Sequence, residues 1–286
     1  MGKGRGCCGF DGSEDGSPVP ADAERVVDAV RDRYGKIAEG KLRGCGAMTE
    51  ATVARAIGYR GQDLDVLPDG ANLGLGCGAP IPGLALRPGE TVLDLGSGPG
   101  LDAFLAAREV GPQGRVIGVD MTPAMLEKAR ASASRAGFSN VEFREGRLEA
   151  LPVDDGAVDA VTSNCVINLV PDKAAVFREA ARVLKPGGRL VVSDIILDGT
   201  LPEVLARDLL AYVGCIAGAM RREAYFETVE AAGLGEIRIL RDIDYLEAAG
   251  YALPDGVREA MEREGIEPRD LEGVVRSVTF RAVKPS

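Results

Sequence analysis

Between residues 91 and 196, short apolar runs alternate with segments whose apolar residues recur every three to four positions. Thr91-Val-Leu-Asp-Leu95, Arg115-Val-Ile-Gly-Val119 and residues 141–144, 158–162 and 189–196 are runs of the kind that buried strands produce. Helical patterns separate them: one from about Leu101, one over 122–136, and one over 172–184. Thr122 sits at the N-cap position with Pro123 in the first turn, and Lys185-Pro-Gly-Gly188 punctuates the end of the third pattern. This alternation predicts an α/β fold built on a mostly parallel, Rossmann-like sheet.

The flanks are less regular. Residues 22–41 place Val26, Val27, Val30, Tyr34 and Ile37 at helical spacing, residues 50–58 form a second short helix pattern, and 63–70 read as a turn around Pro68-Asp69. A glycine-rich stretch, Asn72-Leu-Gly-Leu-Gly-Cys-Gly-Ala-Pro80, precedes the first strand. Beyond the core, 202–220 reads as a helix carrying Cys215 and 221–232 as another, ended by Gly233. Residues 236–240 read as a strand, and 275–283 as a final antiparallel strand. The expected organisation is a flexible tail over 1–21, an N-terminal segment over 22–86 that covers the core and contributes to the substrate site, a binding core over 87–200, and a C-terminal region over 201–286.

The first strand ends in a turn with Gly96, Gly98 and Gly100, where the absence of a Cβ lets backbone N–H groups approach a ligand. The second strand stops at Asp120, twenty residues past Gly100, the place where a carboxylate accepts hydrogen bonds from ribose hydroxyls. No Gly-Lys-Ser/Thr follows the turn, so it is not a P-loop. A glycine turn in a nucleotide-free α/β core remains the alternative at this point.

Composition narrows the chemistry. A net charge of −10 excludes the electrostatic footprint of a nucleic-acid or anionic-membrane binder. No apolar run has the length of a membrane span and the N-terminus lacks a signal peptide's apolar stretch, so a soluble cytoplasmic protein is expected. The chain contains no histidine, which removes imidazole acid–base catalysis, Ser/Cys-His triads and imidazole metal sites together. Six cysteines remain: Cys7, Cys8, Cys45, Cys77, Cys165 and Cys215. In a cytosolic chain of this length they read as reactive or ligating rather than as a disulfide framework. The tail pair Cys7-Cys8 suits either a scavenger of thiophilic ions or two exposed thiols without a task. Each of the others, taken alone, also suits a small core residue.

The stretch Asp94-Leu-Gly-Ser-Gly-Pro-Gly100 resembles motif I of the class I S-adenosylmethionine-dependent methyltransferases, with Asp120 as the acid after the second strand. The resemblance implies S-adenosylmethionine as co-substrate, held by Asp94, Gly96, Ser97, Gly98, Gly100, Asp120, Met121 and Asn164, with the adenine near Leu148 and Glu149. Arg147 departs from the family, which commonly has Asp there. Within that superfamily, Ser163-Asn-Cys-Val-Ile-Asn-Leu-Val-Pro-Asp-Lys173, Gly214-Cys215 and the Gly-Cys-Gly around Cys77 resemble the arsenite methyltransferases. That implies three As(III) ligands, Cys77, Cys165 and Cys215, with Cys45 as an auxiliary, and a thiol such as glutathione as carrier or reductant. The arsenic is the substrate and the cysteines are its ligands rather than nucleophiles. A monomer is expected. Two other readings compete: a quinone- or sterol-type C-methyltransferase with incidental cysteines, and a non-catalytic thiol sensor of metalloids. Asn168 reads as a residue of the site mouth or as a turn holder.

Overall fold

A computed structural model of the protein describes residues 23–44, 48–206, 215–248 and 255–286. One seven-stranded sheet organises them, in the order β3-β2-β1-β4-β5-β7-β6. The strands are β1 Thr91–Leu95, β2 Arg115–Asp120, β3 Val141–Glu145, β4 Val158–Asn164, β5 Leu184–Leu197, β6 Gly235–Asp244 and β7 Val275–Val283. The first five pair in parallel, and β7 runs antiparallel between β5 and β6. The expected α/β sheet with an antiparallel last strand is therefore the one observed, and strands from the C-terminal region complete it.

The central strands are apolar because both of their faces are covered. β1 buries Val92 to Leu95, and the helices Leu101–Val110 and Pro123–Ala136 cover one side through Phe104, Ala107, Leu126 and Ala129. The helices Lys173–Val183 and Arg222–Ala231 pack Phe177 and Tyr225 against the other side, edge-on to each other at 5.5 Å between ring centres. The helix Ala23–Ala38 turns Val26, Val30 and Ile37 inward over the carboxyl ends of the strands, against the cysteines and Met125. That is the end where parallel sheets place ligands.

Two expectations change. Lys185-Pro-Gly-Gly188 is not a break before β5: Leu184 already pairs with Val158, and pairing resumes at Ala160 with Arg189, so these four residues bulge out of a continuous strand. The helix expected over 202–220 holds at Glu203–Ala206, and the segment 207–214 lies outside the described residues. From Cys215 to Met220 the chain is turn rather than helix, because Cys215 has φ +67° and a left-handed residue cannot continue a right-handed helix. Met1–Ala21 with Cys7 and Cys8, and also Cys45, lie outside the described residues. Among the described residues no helix is long and apolar enough to cross a membrane.

Candidate functional site

A cleft opens over the carboxyl ends of β1, β2 and β4. Gly96, Ser97 and Gly98 form its floor, with Asp120, Met121, Leu148 and Glu149 along one wall and Asn164, Cys165 and Cys215 along the other. Gly96 needs its glycine doubly: φ is +64°, and a Cβ there would run into the Val166 side chain. At Gly98 nothing lies within 4 Å of where a Cβ would be, so that face is open to a ligand. Asp120 accepts from the Gly98 N–H at 2.9 Å and from the Thr122 N–H at 2.8 Å, which fixes its carboxylate at the rim and leaves lone pairs for hydroxyl donors. Glu149 is paired with Arg147 at 3.0 Å, and Arg147 also reaches Glu24 of the covering helix at 3.0 Å. Arg147 thus ties the N-terminal cover to the cleft.

Two residues expected at the cofactor do not reach the cleft wall. Gly100 caps the following helix at φ +101°, and a Cβ there would strike Phe104 and Phe143 rather than a ligand. Asp94 lies buried beneath the turn, with its Oδ2 unpaired. Burial above all, then the neighbouring Asp102 and Asp120 carboxylates, push its acid strength well down, so its pKa is raised. The Asp102 carboxyl is likewise lifted to about 6 by burial, against the hydrogen bonds from Tyr59 and Asn164. The Asp120 carboxylate at the rim, beside an open glycine turn, suits a ligand that donates hydrogen bonds from hydroxyls.

The opposite wall carries the thiols of Cys165 and Cys215, with Cys77 close behind. Cys77, Cys165 and Cys215 are all buried and unpaired by disulfides, although they come from three distant segments. The Sγ of Cys215 donates to the Cys165 carbonyl at 3.1 Å, and the Tyr34 hydroxyl lies 3.9 Å from the same sulfur. Cys77 stands behind, its Sγ within 4.8 Å of that of Cys165. Cys165 and Cys215 both have left-handed backbones, φ +62° and +67°, a conformation that costs a side-chain-bearing residue on the order of 1 kcal/mol or more and concentrates at functional sites. Burial lifts the Cys77 thiol to about 11. For Cys165 the contact with Cys215 pulls downward, but the contact with Cys77 and burial outweigh it, and the thiol ends well above its ordinary range. Cys215 is pushed up by its contact with Cys165 and then by burial. All three are protonated thiols at neutral pH.

Asn164 joins the two walls. Its Oδ1 accepts from Cys77 and Gly78 N–H groups at 3.0 and 3.3 Å, and its Nδ2 donates to the Gly78 carbonyl, the Tyr59 hydroxyl and Asp102 at 2.8, 2.8 and 3.1 Å. The amide expected at the cofactor is thus engaged in holding the cysteine loop. Gly76 makes room for it, since a Cβ there would come within 2.8 Å of the Asn164 oxygen. Asn168 turns inward and donates to Asp194 and to the Ile195 carbonyl at 2.8 and 2.7 Å, so it holds the turn and does not reach the mouth. Tyr34, Tyr59, Asp102 and Asp194 escaped the sequence reading; only Asp194, a carboxylate inside an apolar strand pattern, carried a signal there.

Known proteins resemble this chain in sequence and fold. A family model described as a methyltransferase domain matches residues 86–235. The chain is 46% identical to an arsenite methyltransferase of Halobacterium salinarum over 233 residues, 74% of this chain and 60% of that protein. It is 44% identical to an arsenite methyltransferase of Aquipseudomonas alcaligenes over 174 residues, 58% of this chain and 50% of that one. Among solved structures it resembles CrArsM, an arsenic(III) S-adenosylmethionine methyltransferase of Chlamydomonas reinhardtii, at 33% identity and a TM-score of 0.61, over 82% of this chain and 74% of that one. The chain belongs to the arsenite methyltransferase family. It spans about 60% or less of the length of the first two relatives. The family's methyltransferase domain covers the glycine turn, Asp120, Asn164, Cys165 and Cys215, while Cys77 and the covering helix lie ahead of it.

Proposed function

We propose that this chain transfers methyl groups from S-adenosylmethionine to trivalent arsenic held by Cys77, Cys165 and Cys215. The observation that carries the reading is the gathering of three buried thiols, Cys165 and Cys215 on one wall of the cleft and Cys77 behind Cys165, beside a floor made by an open glycine turn. S-adenosylmethionine supplies a methyl group on a sulfonium, which an arsenic lone pair takes without help from a base, in keeping with a chain that has no histidine.

The chain's own groups bind and orient. Gly96, Ser97 and Gly98 form the floor for the co-substrate, Asp120 accepts from the ribose hydroxyls, and Met121, Leu148 and Glu149 flank the adenine. Asp94 packs beneath the turn, and Gly100 shapes it. Positioning of this kind accounts for much of the acceleration when no proton transfer is needed. The protonated thiols suit a substrate that arrives as a hydroxide or a thiol adduct such as that of glutathione. Each displaced ligand leaves with one thiol proton, so three S–As bonds form without net proton release. Soft thiolates select a thiophilic atom over hard ions. We place the activity in the reducing cytoplasm, where such thiols stay free, and in a monomer.

The test is transfer of labelled methyl from S-adenosylmethionine to As(III) with glutathione, in wild type and Cys165→Ser. Methylated arsenic from the first and none from the second supports the reading. Cofactor binding without arsenic methylation sinks it and brings forward a quinone- or sterol-type C-methyltransferase. Arsenic binding without cofactor binding would point instead to a sensor.

A further inference from the structure

β5 is apolar from Leu190 to Leu197 except at Ser193 and Asp194, and Asp194 is 0% exposed. The function proposed above gives this carboxylate no task, and a buried carboxylate is costly unless something compensates it. Its Oδ1 accepts from the Asn168 amide at 2.8 Å and the Ile195 N–H at 3.0 Å, and its Oδ2 from the Tyr225 hydroxyl at 2.9 Å. Hydrogen bonds of this kind hold a carboxylate in one orientation, as they do around metal-ligating groups. A carboxylate oxygen of Asp194 and the sulfurs of Cys77 and Cys165 all lie within 4.8 Å of one another.

We propose that Cys77, Cys165 and Asp194 form a site for a divalent thiophilic cation of the Zn²⁺ or Cd²⁺ kind. It shares two thiols with the arsenic ligands and replaces Cys215 with a carboxylate. Zinc holds sulfur at about 2.3 Å and carboxylate oxygen at about 2.0–2.2 Å in a tetrahedron, so neighbouring ligand atoms stand about 3.6–3.8 Å apart. Contracting the observed spread to that size takes side-chain shifts on the order of 1 Å. The fourth position falls to a water entering past Cys165, which lines the cleft.

Ligand softness separates the two uses of the thiols. Trivalent arsenic is satisfied by three thiolates, whereas a thiophilic divalent ion also accepts a carboxylate oxygen, and it is the Asp194 oxygen that lies within 4.8 Å of both the Cys77 and Cys165 sulfurs. On binding, both thiol protons pass to water as the S–H bonds give way to S–metal bonds. Two thiolates, a carboxylate and a divalent cation sum to −1, and the field of the buried Lys173 ammonium, which already acts on Asp194, offsets that charge. Because Cys77 and Cys165 serve both ligand sets, the cation and arsenic exclude each other, and the cation is a competitive inhibitor of any activity that uses the cysteine trio. Cation binding needs only the convergence of the three side chains, so it is measured without methyl transfer and stands or falls apart from the methylation reading.

The experiment is a titration of the full, reduced chain with CdCl₂, following thiolate-to-cadmium absorption in the ultraviolet and affinity by competition with a chromophoric chelator. Wild type, Asp194→Asn, Cys215→Ser and Cys165→Ser are compared, and the Cys165→Ser curve is subtracted as the contribution of other thiols. The expected result is the absorption of two thiolates per cation, unchanged in Cys215→Ser, with affinity lowered about tenfold or more in Asp194→Asn. An Asn carbonyl keeps the bonds to Asn168 and Ile195, and the Tyr225 hydroxyl can turn to accept from the amide, so that variant retains the local packing. Absorption of three thiolates that drops in Cys215→Ser, or a Cys165→Ser curve that matches wild type, overturns the proposal whether or not Asp194→Asn folds.

Discussion

The carboxamide of Asn164 and the backbone of Cys77 are joined by a 3.0 Å hydrogen bond across 87 residues of sequence. Through the same amide, Gly78, Tyr59 and Asp102 are tied to the end of β4. The loop that carries Cys77 has no regular structure of its own, so this clamp sets where its thiol lies. Replacing Asn164 by Ala leaves buried donors and acceptors unpaired at about 1–3 kcal/mol each before relaxation. We expect Asn164→Ala to raise the KM for arsenite about tenfold or more, since 1.4 kcal/mol corresponds to tenfold, and to change S-adenosylmethionine affinity far less. Steady-state kinetics beside calorimetric cofactor binding separates the two. A loss confined to the cofactor arm would return Asn164 to the cofactor site.

The glycine turn can be tested by two substitutions that differ in kind. At Gly96 a methyl group meets Val166 as well as a φ of +64°, so Gly96→Ala is expected to destabilise the fold by about 1–3 kcal/mol from crowding alone. At Gly98 the same methyl meets nothing, and the cost is the left-handed backbone, about 1–2 kcal/mol. Gly98→Ala should therefore fold, with a melting temperature nearer to wild type than Gly96→Ala, and yet lose S-adenosylmethionine affinity, because its new methyl projects into the cleft. Undiminished cofactor binding by Gly98→Ala would show that the turn is not the cradle.

Much of this architecture was legible in the sequence, and the reasons are local. β1, the glycine turn and Asp120 lie in a run where period, turn chemistry and spacing agree. Cys77, Cys165 and Cys215 were readable as a group only through motif resemblance, since spacing alone does not bring three distant segments together. What stayed hidden depends on tertiary contacts. Tyr34 and Tyr59 look like ordinary apolar positions of a helix and a helix end until their hydroxyls meet Cys215 and Asp102. Cys215 was misplaced on a helix because its apolar neighbours suit one. The left-handed backbone at that residue, φ +67°, ends any helix there, and its side chain lies in one apolar cluster with Cys165 and Ile216, with Tyr34 packed against it. The Lys185–Gly188 bulge reads as a stop because a Pro-Gly-Gly turn and a bulge use the same residues.

Outside the site, one ion pair is expected to matter for stability. Arg189 at the start of the regular part of β5 meets Glu90 in two bonds of 2.9 and 2.6 Å, with side-chain exposures of only 11% and 16%. The same guanidinium caps the Leu84 and Ala85 carbonyls ahead of β1. Burial works to raise the Glu90 carboxyl, but the Arg189 bonds outweigh it and hold it below its ordinary range. Glu90→Gln should cost about 2–3 kcal/mol in denaturant unfolding, somewhat below a fully buried pair because of residual solvent screening. Arg189→Met alone should cost at least as much, because it orphans both carbonyls as well as the carboxylate. A change under about 0.5 kcal/mol in either would reduce the pair to a surface contact.

The Asp102 carboxyl makes stability depend on pH with a definite sign. Its folded pKa is raised to about 6, chiefly by burial, against about 3.9 for an unfolded Asp. Below pH about 4 the group is protonated in both states and contributes no penalty. Between about 4 and 6 the unfolded chain ionises while the folded one holds its proton, so the folded state binds more protons and stability falls as pH rises. Above about 6 both states are ionised, and the penalty is constant at a few kcal/mol. Asp102→Asn removes this group from the balance and also relieves the repulsion that Asp102 exerts on Asp94. Its stability relative to wild type should therefore climb from pH 4 to pH 6 and then level off, on top of a constant offset for altered bonds to Tyr59 and Asn164. Urea unfolding of both proteins across that range measures the difference. A flat difference, or one that falls with pH, would mean that Asp102 stays ionised in the folded protein and that Tyr59 and Asn164 fully compensate its burial.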